Sequence, residues 1–147
     1  MFNNFTKGLH ILEKYGRRFR KQAFKPYGLK RNDHRYLLTI TKHPGISQEK
    51  IANHLLLDKG NVARQLATLE ERGYITRQTS EKDKRIIELY PTEKGSLLAD
   101  KIRKELATWD NYLCECLSPE EEEMMTKILN KLVEHAEEYP FEGEHHA

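Results

Sequence analysis

The 147-residue chain is short of cysteine, of long apolar runs and of hydrophobic residues altogether. Each scarcity excludes something. No stretch approaches the roughly 20 apolar residues that a membrane-spanning helix needs, and Met1 to His10 lacks the apolar centre of a signal peptide. A cytoplasmic protein with no membrane partner is therefore expected. The two cysteines, Cys114 and Cys116, stand two apart in a helical pattern, so their side chains point to nearly opposite faces and should neither pair nor share a metal. No basic neighbour favours their thiolates, and they are expected as small buried or half-buried helix residues. The histidines His10, His34, His43, His54, His135, His145 and His146 show no metal-ligand spacing of the His-Glu-x-x-His kind. No nucleophile–base arrangement is evident either, so no metal, no cofactor and no enzyme is expected. There is no internal repeat, and no linker long enough to separate domains.

What the chain has instead is charge. Charged residues make up 33% of it against 37% hydrophobic, so much of the chain must be solvated, and burial shared between protomers would relieve the shortage of core. The net charge of +2 conceals a strong asymmetry. Residues 1–35 hold ten Lys and Arg against only Glu13 and Asp33, whereas from Ser118 onward nine Glu face only Lys127 and Lys131. One end suits a polyanion and the other does not, although solvated helix faces would account for the same numbers.

Apolar residues Phe5, Leu9, Leu12, Gly16, Phe19 and Ala23 recur at helical spacing until Pro26 and Gly28 stop them. A second helix is predicted over 32–42, with Tyr36, Leu37 and Ile40 facing inward and His43-Pro44-Gly45 ending it. Ser47 then offers an N-cap to a short helix containing Ile51, Ala52 and Leu55. Asp58 caps another, whose stripe Val62, Leu66 and Leu69 runs to a C-terminal glycine, Gly73. The segments 74–78 and 85–90 are rich in β-branched and aromatic residues and flank a polar tip, as strands of a hairpin do. Thr92 caps a long helix with Leu98, Ile102, Leu106, Trp109, Leu113 and Cys116 on one stripe, and Tyr15, Tyr36 and Trp109 are expected in the core. Ser118-Pro119-Glu120-Glu121 combines a capping box with a first-turn proline, opening a last helix that carries Met125, Ile128, Leu129, Leu132 and Ala136 up to Pro140.

Two helices at a tight turn followed by a basic hairpin suit duplex DNA, because the major groove admits one α-helix and a narrow hairpin reaches the adjoining minor groove. The buried stripe of the second helix leaves Lys59, Asn61, Arg64, Gln65 and Thr68 outward, side chains able to meet base edges and phosphates. Arg77, Lys82, Lys84 and Arg85 add cations along the hairpin. Ser47 is first a cap, with a phosphate contact as its second role. The competing reading makes these helix positions solvated surface and Lys82 and Lys84 solubility residues at a loop tip. A winged-helix protein-interaction module without DNA binding would instead show an apolar or acidic outward face.

The run Asp83-Lys84-Arg85, then Ile87-Glu88-Leu89, then Thr92-Glu93-Lys94-Gly95 resembles the wing signature of the MarR family of bacterial transcriptional regulators. Leu66-x-x-Leu69-Glu70-x-x-Gly73-Tyr74-Ile75-x-Arg77 resembles the family's recognition-helix exit, and the likeness extends from about Phe5 to the last helix. Pro91 departs from it, standing where the family more often has Leu. The resemblance implies a mainly α fold with a small β-wing: a winged helix-turn-helix lobe at 31–92, and terminal helices from 1–30 and 93–147 interlocked into a dimerisation region. It implies a homodimer on a pseudo-palindromic operator, acting as a repressor modulated by a small-molecule effector. It also implies that Arg85 enters the minor groove while Asp83 holds the wing by pairing with a nearby basic group, Arg85 itself or another.

Overall fold

The computed structural model describes residues 4–142, so His145 and His146 lie outside the described residues. It divides into two compact units, 1–109 and 110–147, the division falling inside one long helix.

The first unit opens with helix α1 (Phe5–Ala23), where the Asn4 side chain accepts from the Lys7 N–H and Arg20 and Lys21 occupy the last turn, favourably placed for the helix dipole. A 3-10 turn (Lys25–Tyr27) ends in left-handed Gly28, as the proline and glycine there predict. Helix α2 (Asp33–Lys42) buries Tyr36, Leu37 and Ile40. Strand β1 (Ile46–Ser47) leads into α3 (Gln48–His54), whose N-terminus is capped by Ser47 accepting from Lys50 N. After a short turn comes α4 (Lys59–Glu71), capped by Asp58, with Val62, Leu66 and Leu69 wholly buried. Strands β2 (Ile75–Thr79) and β3 (Ile87–Pro91) follow, and then α5 (Glu93–Cys114).

The sheet is antiparallel in the order β1-β3-β2. Strand β1 was not foreseen, since two residues carry no alternation; it exists because Ile46 and Ser47 align with Leu89 and Glu88. Pro91 is harmless at the strand's end. It faces Ile75, while the neighbouring Thr92 N–H bonds Tyr74 O, so Pro91 occupies a non-hydrogen-bonded pair where a missing N–H costs no ladder bond. Thr92 itself joins β3 to α5: its hydroxyl donates to Gly73 O at 2.6 Å and accepts from Gly95 N at 3.0 Å. Gly95 has to be glycine, because a Cβ there would collide with the Tyr74 carbonyl.

Leu37, Ile40, Ile51, Leu66, Leu69, Ile75, Leu89 and Ile102 form the centre of the core that α2, α3, α4, the sheet and α5 share. Phe19 stacks on Trp109 at 5.1 Å, and Trp109 is half-buried as a result. Tyr15, expected inside, is exposed, because α1 buries only Gly16 and leaves Phe5, Leu9 and Leu12 exposed as well.

In the second unit, α6 (Pro119–Glu137) starts with the complete capping box: Ser118 Oγ accepts from Glu121 N and Glu121 returns a bond to Ser118 N. No α6 residue is buried. Cys116 falls beyond the end of α5, exposed in the turn, so the expected helix is shorter and only Cys114 is half-buried. Burial and the nearby Glu122 push the Cys114 thiol up, against thiolate formation. Among the described residues no helix is long and apolar enough to cross a membrane.

Candidate nucleic-acid interface

The outward face of α4 follows from its buried stripe. With Val62, Leu66 and Leu69 turned in, Asn61, Arg64 and Thr68 lie on the opposite side, and all three are exposed. The Thr68 hydroxyl bonds back to Arg64 O, and the Arg64 guanidinium has no partner among the described residues. Lys59, on the first turn, meets Glu49 of α3 at 3.2 Å with both side chains largely in solvent, a weak pair that a phosphate can displace. Ser47 is half-buried and its hydroxyl is engaged as the α3 cap.

Gln65 is placed differently from the sequence expectation. Three residues after Val62 and four before Leu69, it borders the buried stripe, and its Oε1 is closed off from solvent without a hydrogen-bond partner. Arg77 is also turned to an internal task. Its Nε and Nη2 bond Glu70 Oε1 at 3.3 and 3.2 Å, and its backbone N–H bonds Glu70 Oε2 at 2.8 Å. That fork ties the end of α4 to β2. Glu70 and Arg77 both belong to the exit pattern of α4, and their pairing depends on the Gly73 turn that returns the chain beside that helix.

The wing tip is a turn rather than a strand over 83–86. Asp83 O accepts from Ile86 N at 2.9 Å and Asp83 Oδ1 from Arg85 N at 3.0 Å, so β3 begins at Ile87 and not at Arg85. The same carboxylate holds the guanidinium: Arg85 Nε to Oδ1 and Nη2 to Oδ2, both 3.1 Å. Asp83 therefore pairs with Arg85 itself. The arginine side chain is 90% exposed even so. Its hydrogen bonds hold the Asp83 carboxyl below the ordinary range, keeping the acceptor ionised. A fork fixed at its base and open at its far edge presents three remaining N–H donors without a rotamer search. Lys82 and Lys84 flank it, exposed. Ser80, buried, closes the wing's base through its N–H to Ile86 O. Among the described residues no group of three or more His, Cys, Asp or Glu is placed to hold a metal ion.

Comparison with known proteins agrees with this geometry. A sequence pattern described as the MarR family matches residues 27–86, from the 3-10 turn to the wing. The chain is 33% identical over 109 residues to the HTH-type transcriptional regulator YybA of Bacillus subtilis, covering 74% of this chain and 73% of that one. The fold matches a MarR transcriptional regulator from Methanosarcina mazei with a TM-score of 0.84 at 29% identity, covering 90% and 95% of the two chains. It matches a putative MarR family regulator from Listeria monocytogenes, solved with a 26mer DNA, with a TM-score of 0.79 at 27% identity over 92% and 89%. With a helix-turn-helix, a wing closed by Asp83 and Arg85, and a Thr92–Gly95 joint all in place, the chain belongs to the MarR family of winged-helix transcriptional regulators, a family of regulators and not of enzymes.

Proposed function

We propose that the protein binds a specific operator as a homodimer, laying α4 in the major groove and the wing in the minor groove. The single observation that carries this reading is the Asp83–Arg85 fork, its arginine 90% exposed yet held at Nε and Nη2, and an exposed α4 face of Asn61, Arg64 and Thr68 accords with it. The Listeria relative, solved with a 26mer DNA, supports DNA as the partner. Lys59, Lys82 and Lys84 take the phosphates, Arg64 and Asn61 the base edges, and Arg85 the minor groove. Ser47 and Gln65 are secondary: the one is already a cap and the other half-buried. Arg77 acts through Glu70, holding helix and wing together.

Dimerisation falls to residues 1–30 and 93–147. Phe5, Leu9 and Leu12 on α1 and Ile128, Leu129 and Leu132 on α6 form apolar stripes that stay exposed among the described residues. Burying these stripes between two copies presents two α4 helices to successive major grooves of a pseudo-palindrome, about one helical turn apart. Repression modulated by a small ligand, in the cytoplasm, completes the reading on the family resemblance.

The test is selection of bound fragments from random duplex by the purified protein. Enriched inverted half-sites are expected, with binding that falls steeply as salt rises. On the selected site, Arg64→Ala should lose roughly 1–3 kcal/mol and relax preference at one position. If no duplex outcompetes random sequence at low salt, the reading fails.

A further inference from the structure

The residue that follows α4 is anchored more heavily than any of the helix's outward side chains. Arg72 is the C-cap of α4. Its Nη1 donates to Gly28 O at 3.1 Å and its Nη2 to Tyr27 O at 2.9 Å. Neither carbonyl is taken by a backbone N–H, so the guanidinium satisfies the exposed end of the 3-10 turn between α1 and α2. Nη1 also lies 3.7 Å from the buried carboxylate of Asp33, which in turn accepts from Lys30 N at 2.8 Å. Burial pushes the Asp33 carboxyl up, while Lys30 and Arg72 pull it down.

The main chain at the same residue is held independently. Lys94, on the first turn of α5, donates its Nζ to Arg72 O at 2.8 Å. The Tyr74 ring takes both cations, the Arg72 guanidinium at 5.0 Å and the Lys94 ammonium at 4.7 Å from its centroid. Gly28 is matched to this arrangement. It sits at φ +63°, and a Cβ there would stand 3.2 Å from Arg72 Nη2. Four pieces of chain therefore converge on one guanidinium: the 3-10 turn, the start of α2, the end of α4 and the β2 entry.

We propose that Arg72 is a positioning residue for DNA reading, a latch that sets the tilt of α4 by locking its C-terminal end to the α1–α2 joint. This inference rests on the DNA-binding reading above. A 13-residue helix is about 20 Å long, so freeing one end by an ångström moves the reading end by a comparable amount, enough to misplace donors from base edges. Phosphate contacts, made by long flexible side chains, tolerate such a shift. The latch thus governs discrimination between sequences, not attraction to DNA. A lysine cannot replace it, since a single ammonium does not span two carbonyls in a fixed fork.

The experiment compares wild type, Arg72→Lys, Arg72→Ala and Gly28→Ala on the selected operator and on a random duplex, across a salt series, with amide exchange over 68–74 measured without DNA. Arg72→Ala should lower operator affinity about ten-fold while leaving random-duplex affinity and the salt slope as they were, because Arg72 touches no phosphate. Arg72→Lys should fall between, Gly28→Ala should lose discrimination as Arg72→Ala does, and exchange at 68–74 should quicken in all three. Equal losses on both duplexes with a shallower salt slope would make Arg72 a phosphate contact and overturn the latch. So would an unchanged operator-to-random ratio with only a lowered melting temperature. A wild type without sequence preference would defeat the DNA reading itself, a result separable from the exchange data, which report on the latch alone.

Discussion

The winged lobe and the last helix use similar amphipathic sequences and end in opposite conditions. In the lobe, each helix turns its apolar stripe onto a neighbour, and Leu37, Ile40, Ile51, Leu66 and Leu69 are entirely covered. On α6 the stripe Met125, Ile128, Leu129 and Leu132 is just as regular, yet every member is exposed. Periodicity therefore shows which face wants covering without showing what covers it. The lobe's core is complete within one chain, whereas α6 has a complete cap and no core, a condition that exposed apolar patches of this kind share with association surfaces.

A closed core and an open stripe should respond differently to substitution. Leu66→Ala should cost about 2–5 kcal/mol in urea unfolding, since it opens a cavity in a closed core; a cost below about 1 kcal/mol would mean the lobe is loosely packed. Leu129→Glu with Leu132→Glu should halve the mass seen by sedimentation while the lobe stays folded, and should lower operator affinity about a hundred-fold by removing the second half-site contact. A wild type already monomeric at working concentration would remove the distinction between the two regions. His34 sharpens it. Burial, followed by repulsion from Arg20 and Arg35, lowers its pKa to about 4, and its Nδ1 is buried without a partner beside Phe24. The unfolded chain takes up that proton first, so stability is full above pH 6.5 and drains as pH falls toward 4, by on the order of 2–3 kcal/mol. His34→Gln should flatten that part of the urea-midpoint profile; an unaltered profile would move the sensitivity elsewhere. The smallest effect lies at the helix-helix turn. Leu56 has φ +52° and is 86% exposed, so Leu56→Gly should raise stability by about 0.5–1 kcal/mol, left-handed strain outweighing the added chain entropy. A loss of stability would show that the exposed leucine has a contact of its own.

Most helices were legible because their signals are local. Ser47, Asp58 and Ser118 announce helix starts, Gly73 an end, and Val62, Leu66 and Leu69 an inward face, all within a few residues of what they specify. Two features of the sheet carry no such signal. Strand β1 depends on Leu89 more than forty residues on, and the start of β3 depends on Asp83 folding 83–86 into a turn. Tyr15, expected inside as an aromatic, lies off the buried side of α1, and Cys116 follows the last residue of α5.

The candidate interface divides in the same way. Arg64 and Asn61 stand outward, as spacing dictates, but three arginines between α4 and the wing tip meet three different fates. Arg85 is held open by Asp83 two residues away, Arg77 is closed by Glu70 seven residues away, and Arg72 is drawn to carbonyls 44 and 45 residues distant. The helices of the lobe, the caps at Ser47, Asp58 and Ser118 and the family could be read along the chain, since periodicity and short-range hydrogen bonding carry them. Only the tertiary structure decided which guanidinium is free to meet a ligand, because that depends on which acceptor the fold carries within about 3 Å of it.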